Sequence, residues 1–192
     1  MKSTRSHLIA AGLSLALSTV GFAAETESGY IDIGQLMPSA KCKFVEVNLS
    51  TTMLKFAARL VAREEPETAE LIRGLKSIRV NVVGLDDTNR AGTVEQIESV
   101  RRKLETQGWT KMVTVREQDH GDNVDIHIKQ RGDEAIDGLV VTVIDRKGEA
   151  VFVNIVGNIN ADQLAKIADK FDIEPLRKLH LKLDEKKKAK EV

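Results

Sequence analysis

The chain has 192 residues, with 29 basic and 29 acidic side chains, four per cent aromatics and one cysteine. Balanced charge and scarce rings exclude the basic, base-stacking surface of a nucleic-acid binder. A lone cysteine excludes an intrachain disulfide framework, and the length suits one domain held by an ordinary hydrophobic core.

Lys2 and Arg5 precede an apolar run over residues 8–22 that ends in small residues, the pattern of a secretory signal peptide. The run is too short and too punctuated by Gly and Ser for a membrane-spanning helix. Cleavage after Ala23 sets Gly21 and Ala23 where the peptidase needs small side chains and starts the mature chain at Ala24. The expected location is therefore the periplasm or the exterior. A lipid anchor is not expected, because Cys42 lies far downstream of the apolar run.

Residues 24–42 mix Glu, Ser, Gly and Pro without a period and read as a flexible N-terminal segment. Cys42 is either a small buried hydrophobe near the first strand or a thiol that pairs between chains. The domain is expected over residues 43–180. Phe44, Val45 and Val47 mark a first strand, and Ser50 or Thr51 caps a helix with Met53, Phe56, Ala57, Leu60 and Val61 on one face. That face is expected to be core. Pro66, Glu67 and Glu70 open a second short helix that buries Ala69, Leu71 and Ile72 and stops at Gly74.

Ile78, Val80 and Val82 alternate with polar residues as a strand. Thr93 and Gln96 form a capping box for a helix carrying Val94, Ile97, Val100 and Leu104, and Gly108 ends it. Residues 109–117 and the alternating Val124, Ile126 and Ile128 make a hairpin around the turn at 120–123. Residues 139–144 and 150–156, apolar on both sides and joined by Arg146-Lys147-Gly148, belong at the centre of a sheet. Asn160 and Gln163 cap a last helix bearing Leu164, Ile167, Ala168 and Phe171, and residues 181–192 form a charged tail.

The order β-α-α-β-α-β-β-β-β-α joins consecutive strands by short turns, so they pair antiparallel. The expected fold is a two-layer α+β domain, with helices packed on one face of a mostly antiparallel sheet.

The C-terminal hairpin, with Gly138-Leu139-Val140-Val141 and then Val153-Asn154-Ile155-Val156-Gly157-Asn158-Ile159, resembles the bacterial domain-of-unknown-function family numbered 4252. The resemblance spans residues 44–179. It implies an exported bacterial protein, in many members a lipoprotein and in some encoded near extracytoplasmic-function sigma factors, and it implies no activity. This chain departs from the lipoprotein members in lacking a cysteine after its apolar run.

The candidate metal ligands are Asp119, His120, Asp122 and Asp125, clustered about one hairpin turn. Their spacing matches neither an EF-hand loop nor a His-Glu zinc helix, and turns favour Asp, Asn and Gly for backbone reasons alone. His127 alternates toward the solvent side of its strand. Neither a Gly-x-Ser-x-Gly elbow, a phosphate-binding loop nor a dinucleotide fingerprint is present, so no catalytic residue and no cofactor is expected. The tail carries Lys186, Lys187, Lys188 and Lys190 among acids, and its contact with anionic lipid lacks the second signal that stable attachment needs. The sequence reading is a non-enzymatic module whose exposed sheet face or edge docks a protein partner or a cell-envelope component. The alternative is a small periplasmic metal-dependent binder or enzyme built on the Asp119/His120 turn.

Overall fold

A computed structural model describes residues 27–34, 36, 38–39, 41–117, 122–132 and 135–170. The signal-peptide assignment, Asp119, His120 and the charged tail lie outside the described residues. The elements run β1 (Phe44–Leu49), α1 (Thr51–Val61), α2 (Pro66–Gly74), β2 (Leu75–Gly84), α3 (Arg90–Thr106), β3 (Thr110–Arg116), β4 (Asn123–Arg131), β5 (Ala135–Ile144), β6 (Glu149–Asn160) and α4 (Ala161–Lys170). This is the α+β order read from the sequence. The strands form one six-stranded sheet, β1-β2-β6-β5-β4-β3, and every neighbouring pair is antiparallel.

The two most apolar strands, β5 and β6, occupy the middle, because only central strands have both faces covered. Alternation then sorts the side chains. Leu139, Val141 and Ile155 point to the face covered by Leu54 of α1, Leu71 of α2 and Ile167 of α4. Val140 and Phe152 point the other way, onto Val100 and Leu104 of α3, with Trp109 beside them. The expected helical face is thus joined by a second, single-helix layer on the opposite face. The long segment between β2 and β3 crosses the sheet there, since β2 and β3 lie four strands apart.

Residues 24–42 were expected to be flexible, but residues 27–34 pack across the α3 side of the sheet. Ile31 and Ile33 are buried in that second core. Asn154 of β6 holds the segment by accepting from Ile31 N at 3.2 Å and donating to Gly29 O at 3.0 Å. Gly29 and Gly138 lie so close that a Cβ on Gly138 would stand 2.5 Å from the Gly29 carbonyl oxygen. Aperiodic apolar residues such as Ile31 and Ile33 carry no helix or strand signal, and only the sheet surface reveals their partner.

Local chemistry departs from the expectation in three further places. The Thr93–Gln96 box does not start α3, which begins at Arg90 after Asn89. Thr93 is buried inside the helix, and Gln96 instead donates Nε2 to Ile33 O at 2.6 Å, a second clamp on the N-terminal segment. The α4 box does form: Gln163 N donates to Asn160 Oδ1 at 2.8 Å and Asn160 N to Gln163 Oε1 at 3.0 Å. Gly157 is not a strand exit, because β6 continues to Asn160. Its missing side chain leaves room for Gly74 O, which a Cβ would approach to 2.6 Å where β2 enters the sheet.

Candidate functional site

Of the four candidate metal ligands only Asp122 and Asp125 lie among the described residues, and each is engaged by other groups. Asp122 ends the β3–β4 turn and accepts from Arg146 N at 3.0 Å through Oδ1. Asp125 is fully buried inside the sheet under α3, and both its oxygens are engaged. Oδ2 meets Arg101 Nε at 2.6 Å and Arg116 Nη2 at 2.7 Å, while Oδ1 accepts from Thr114 Oγ1 at 2.8 Å. Period-two alternation turns Asp125 to the face opposite Ile126, and there a helix rather than solvent covers it. Burial pushes its carboxyl up, yet the bonds from Arg116 and Thr114 and the Arg101 and Arg116 charges outweigh that and hold it below the ordinary range. Among the described residues no group of three or more His, Cys, Asp or Glu side chains is placed to hold a metal.

His127 follows two residues on along β4, on the same face, and is fully buried, not solvent-facing as the alternation suggested. Its two ring nitrogens have no hydrogen-bond partner among the described residues. Burial is the main cause that lowers its pKa, aided by the Lys111 and Arg101 charges. The ladder places Lys111, His127, Val140, Asn154 and Arg79 in one row across the sheet, with Thr114, Asp125, Thr142, Phe152 and Asn81 in the next. Arg101 Nε also donates to Thr142 Oγ1 at 3.2 Å. The α3 side of the sheet is therefore a mixed polar layer that fastens α3 and the N-terminal segment. Sequence reasoning missed Arg101 as its central cation, since an arginine on an otherwise amphipathic helix reads as exposed. The signal was its place one residue after Val100 and three before Leu104 on the buried stripe.

Cys42 is half-buried, with Sγ 3.4 Å from Asp86 Oδ2. Burial and the neighbouring Asp86 carboxylate push its thiol pKa up and favour the protonated form.

The other unusual surface lies at the β1 edge. The α1 face expected to be core is uncovered: Met53, Phe56 and Leu60 are 51, 62 and 67 % exposed, whereas Leu54 and Ala58 make the buried contact. At about 100° per residue the exposed trio lies about 100–160° round the helix from that pair. Helical periodicity identified a real apolar stripe, but it cannot tell a core stripe from an uncovered one. β1, the strand that leads into α1, is an outermost strand, and Phe44 and Val45 are also exposed. Sheets protect such edges with lysine, bulges or proline. The opposite edge, β3, has Lys111, Arg116 and a register shift between Lys111 and Val113. β1 has an unbroken register with β2 and a single charge, Glu46.

The fold and these surfaces define a single-sheet antiparallel α+β domain with a sealed polar layer on one side and an unguarded apolar edge. The chain belongs to the family described as Domain of unknown function (DUF4252), whose match covers residues 39–167. No curated protein and no solved structure matches the chain.

Proposed function

We propose that this protein is an exported, non-enzymatic interaction module of the bacterial cell envelope, and that the β1–α1 edge docks a protein partner or envelope component. The observation that carries this reading is the coincidence of three exposed large apolar side chains on α1 with the unprotected strand beside them. Contiguous apolar surface of this kind is costly in water unless something covers it. A free strand edge offers a row of main-chain donors and acceptors, so both main-chain pairing and apolar anchoring are available on one side of the molecule. The basic flank, apolar run and small-residue exit of residues 1–23 support export.

Photo-crosslinkers placed in living cells at Met53 and Phe56, with Lys111 on the β3 edge as control, test the docking edge. Adducts at the α1 positions but not at Lys111 are expected. Adducts equal at both edges, or none at α1, overturn the reading. Export is checked by osmotic-shock fractionation and N-terminal sequencing, with a mature end at Ala24 expected and an intact Met1 in the cytoplasm refuting it.

A further inference from the structure

We infer that the occupant of the β1–α1 edge is a second copy of this chain, paired β1 to β1 across a two-fold axis so that two six-stranded sheets become one. The inference rests on the docking reading above and specifies its partner. Lys43 O accepts from Gly84 N at 2.7 Å, so in an antiparallel ladder the backbone groups of Lys43, Val45, Val47 and Leu49 turn toward β2. Those of Phe44, Glu46 and Asn48 consequently turn outward. An antiparallel copy of the same strand satisfies them in kind.

The register follows from charge. Centring the pair on Glu46 would set two carboxylates directly opposite, a destabilising arrangement. Centring it on Val47 sets Glu46 opposite Asn48 of the second copy, a donor–acceptor pair. The helices agree with this geometry. α1 packs against α2 and over β2, next to the edge strand β1 that leads into it, and its Met53–Phe56–Leu60 stripe lies on the side away from the buried Leu54 and Ala58. With strands about 4.8 Å apart, two such helices related by the two-fold run roughly 10–14 Å from one another. Side chains as long as Met and Phe bridge that distance, while Lys55 and Arg59 stay on the outer side.

Exposed apolar side chains supply a large part of the area such a pairing needs. With about 200 Å² for a large apolar side chain, the exposures of Phe44, Val45, Met53, Phe56 and Leu60 amount to roughly 500 Å² per copy. The edge backbone and flanking stems carry this toward the ~800 Å² per partner of a stable interface. A lipid surface would cover the stripe but leave the β1 donors and acceptors without protein partners.

Sedimentation equilibrium of the purified mature chain tests the pairing, with a species of twice the monomer mass expected. Asn48→Pro removes an outward N–H without touching the β1–β2 ladder, and Phe56→Glu charges the stripe; each is expected to weaken self-association at least tenfold while the far-ultraviolet circular dichroism of a folded chain persists. A variant that unfolds is replaced by Val47→Cys in a Cys42→Ser background. Facing residues of a non-hydrogen-bonded pair stand about 4.5 Å apart at Cα, within disulfide reach, so a crosslinked dimer forms on mild oxidation. A dimer indifferent to all three changes, or a monomer at about 100 μM that does not crosslink, overturns the self-pairing. In the monomer case, in-cell adducts at Met53 to a different protein leave the docking edge standing, and their absence removes both.

Discussion

Asp125→Asn isolates the electrostatic centre of the α3 layer, because it keeps the shape of the side chain and removes its charge. Arg101, 5 % exposed, then loses its buried counter-ion and retains only Thr142 Oγ1 and the bond to Glu98. Removing one partner of a buried pair costs about 3–5 kcal/mol, since the other charge is left desolvated. The half-exposed Arg116 adds at most about 1 kcal/mol. An overall loss of about 3–5 kcal/mol is a large share of the roughly 5–15 kcal/mol that holds a domain of this size together. Urea unfolding followed through Trp109, the only tryptophan and itself buried, measures it. Combining the change with Arg101→Met is expected to recover about 1–3 kcal/mol relative to Asp125→Asn alone, because the desolvated guanidinium, left with only the partly exposed Glu98 as counter-ion, is then gone. The same carboxyl is held below its ordinary pKa, so its contribution is present above about pH 3.9, the unfolded value, and is lost as pH falls through the lower folded value. The Asn variant should lack that part of the acid limb. A loss below about 1 kcal/mol at neutral pH, with no coupling to Arg101, would refute the buried-pair account.

Three other outcomes follow from the same layer. His127 is buried with a lowered pKa, so the unfolded chain takes up its proton first and stability falls as pH drops below about 6.5; His127→Leu should flatten the difference in urea midpoint between pH 7.5 and 5.5, and an unchanged difference would place the titration elsewhere. Asn154→Ala removes the clamp on Gly29 and Ile31 and leaves a buried Ile31 N–H unpaired, a loss of about 1–3 kcal/mol; hydrogen exchange should quicken at residues 30–33 and not in β1. Gly138→Ala drives a Cβ against the Gly29 backbone, so the N-terminal segment must lift, and the expected sign is faster proteolysis of residues 27–34 than in the parent.

Most of the elements were legible in the residues because their signals are local. Asn160 and Gln163 announce the start of α4, Gly108 with its positive φ of 72° marks the end of α3, and the doubly apolar runs of β5 and β6 demand the centre of a sheet. Alternation in β4 likewise shows that Asp125 and His127 share a face. What it cannot show is whether water or a helix covers that face, and this is why an expected turn ligand and an expected exposed histidine prove to be buried neighbours of Arg101. The same limit applied with opposite sign to α1, where the period identified Met53, Phe56 and Leu60 as one stripe but only the position of α1 at the sheet edge leaves the stripe uncovered.

Periodicity and capping are properties of ten to twenty consecutive residues, so this chain's sequence alone determined its α+β class, its element order and its central hairpin. Which side of each element meets protein and which meets solvent depends on contacts between residues far apart in the chain, such as Asn154 with Gly29 and Arg101 with Asp125. Those contacts exist only once the sheet is assembled, and with them the tertiary structure decided both the sealed polar layer and the open β1–α1 edge.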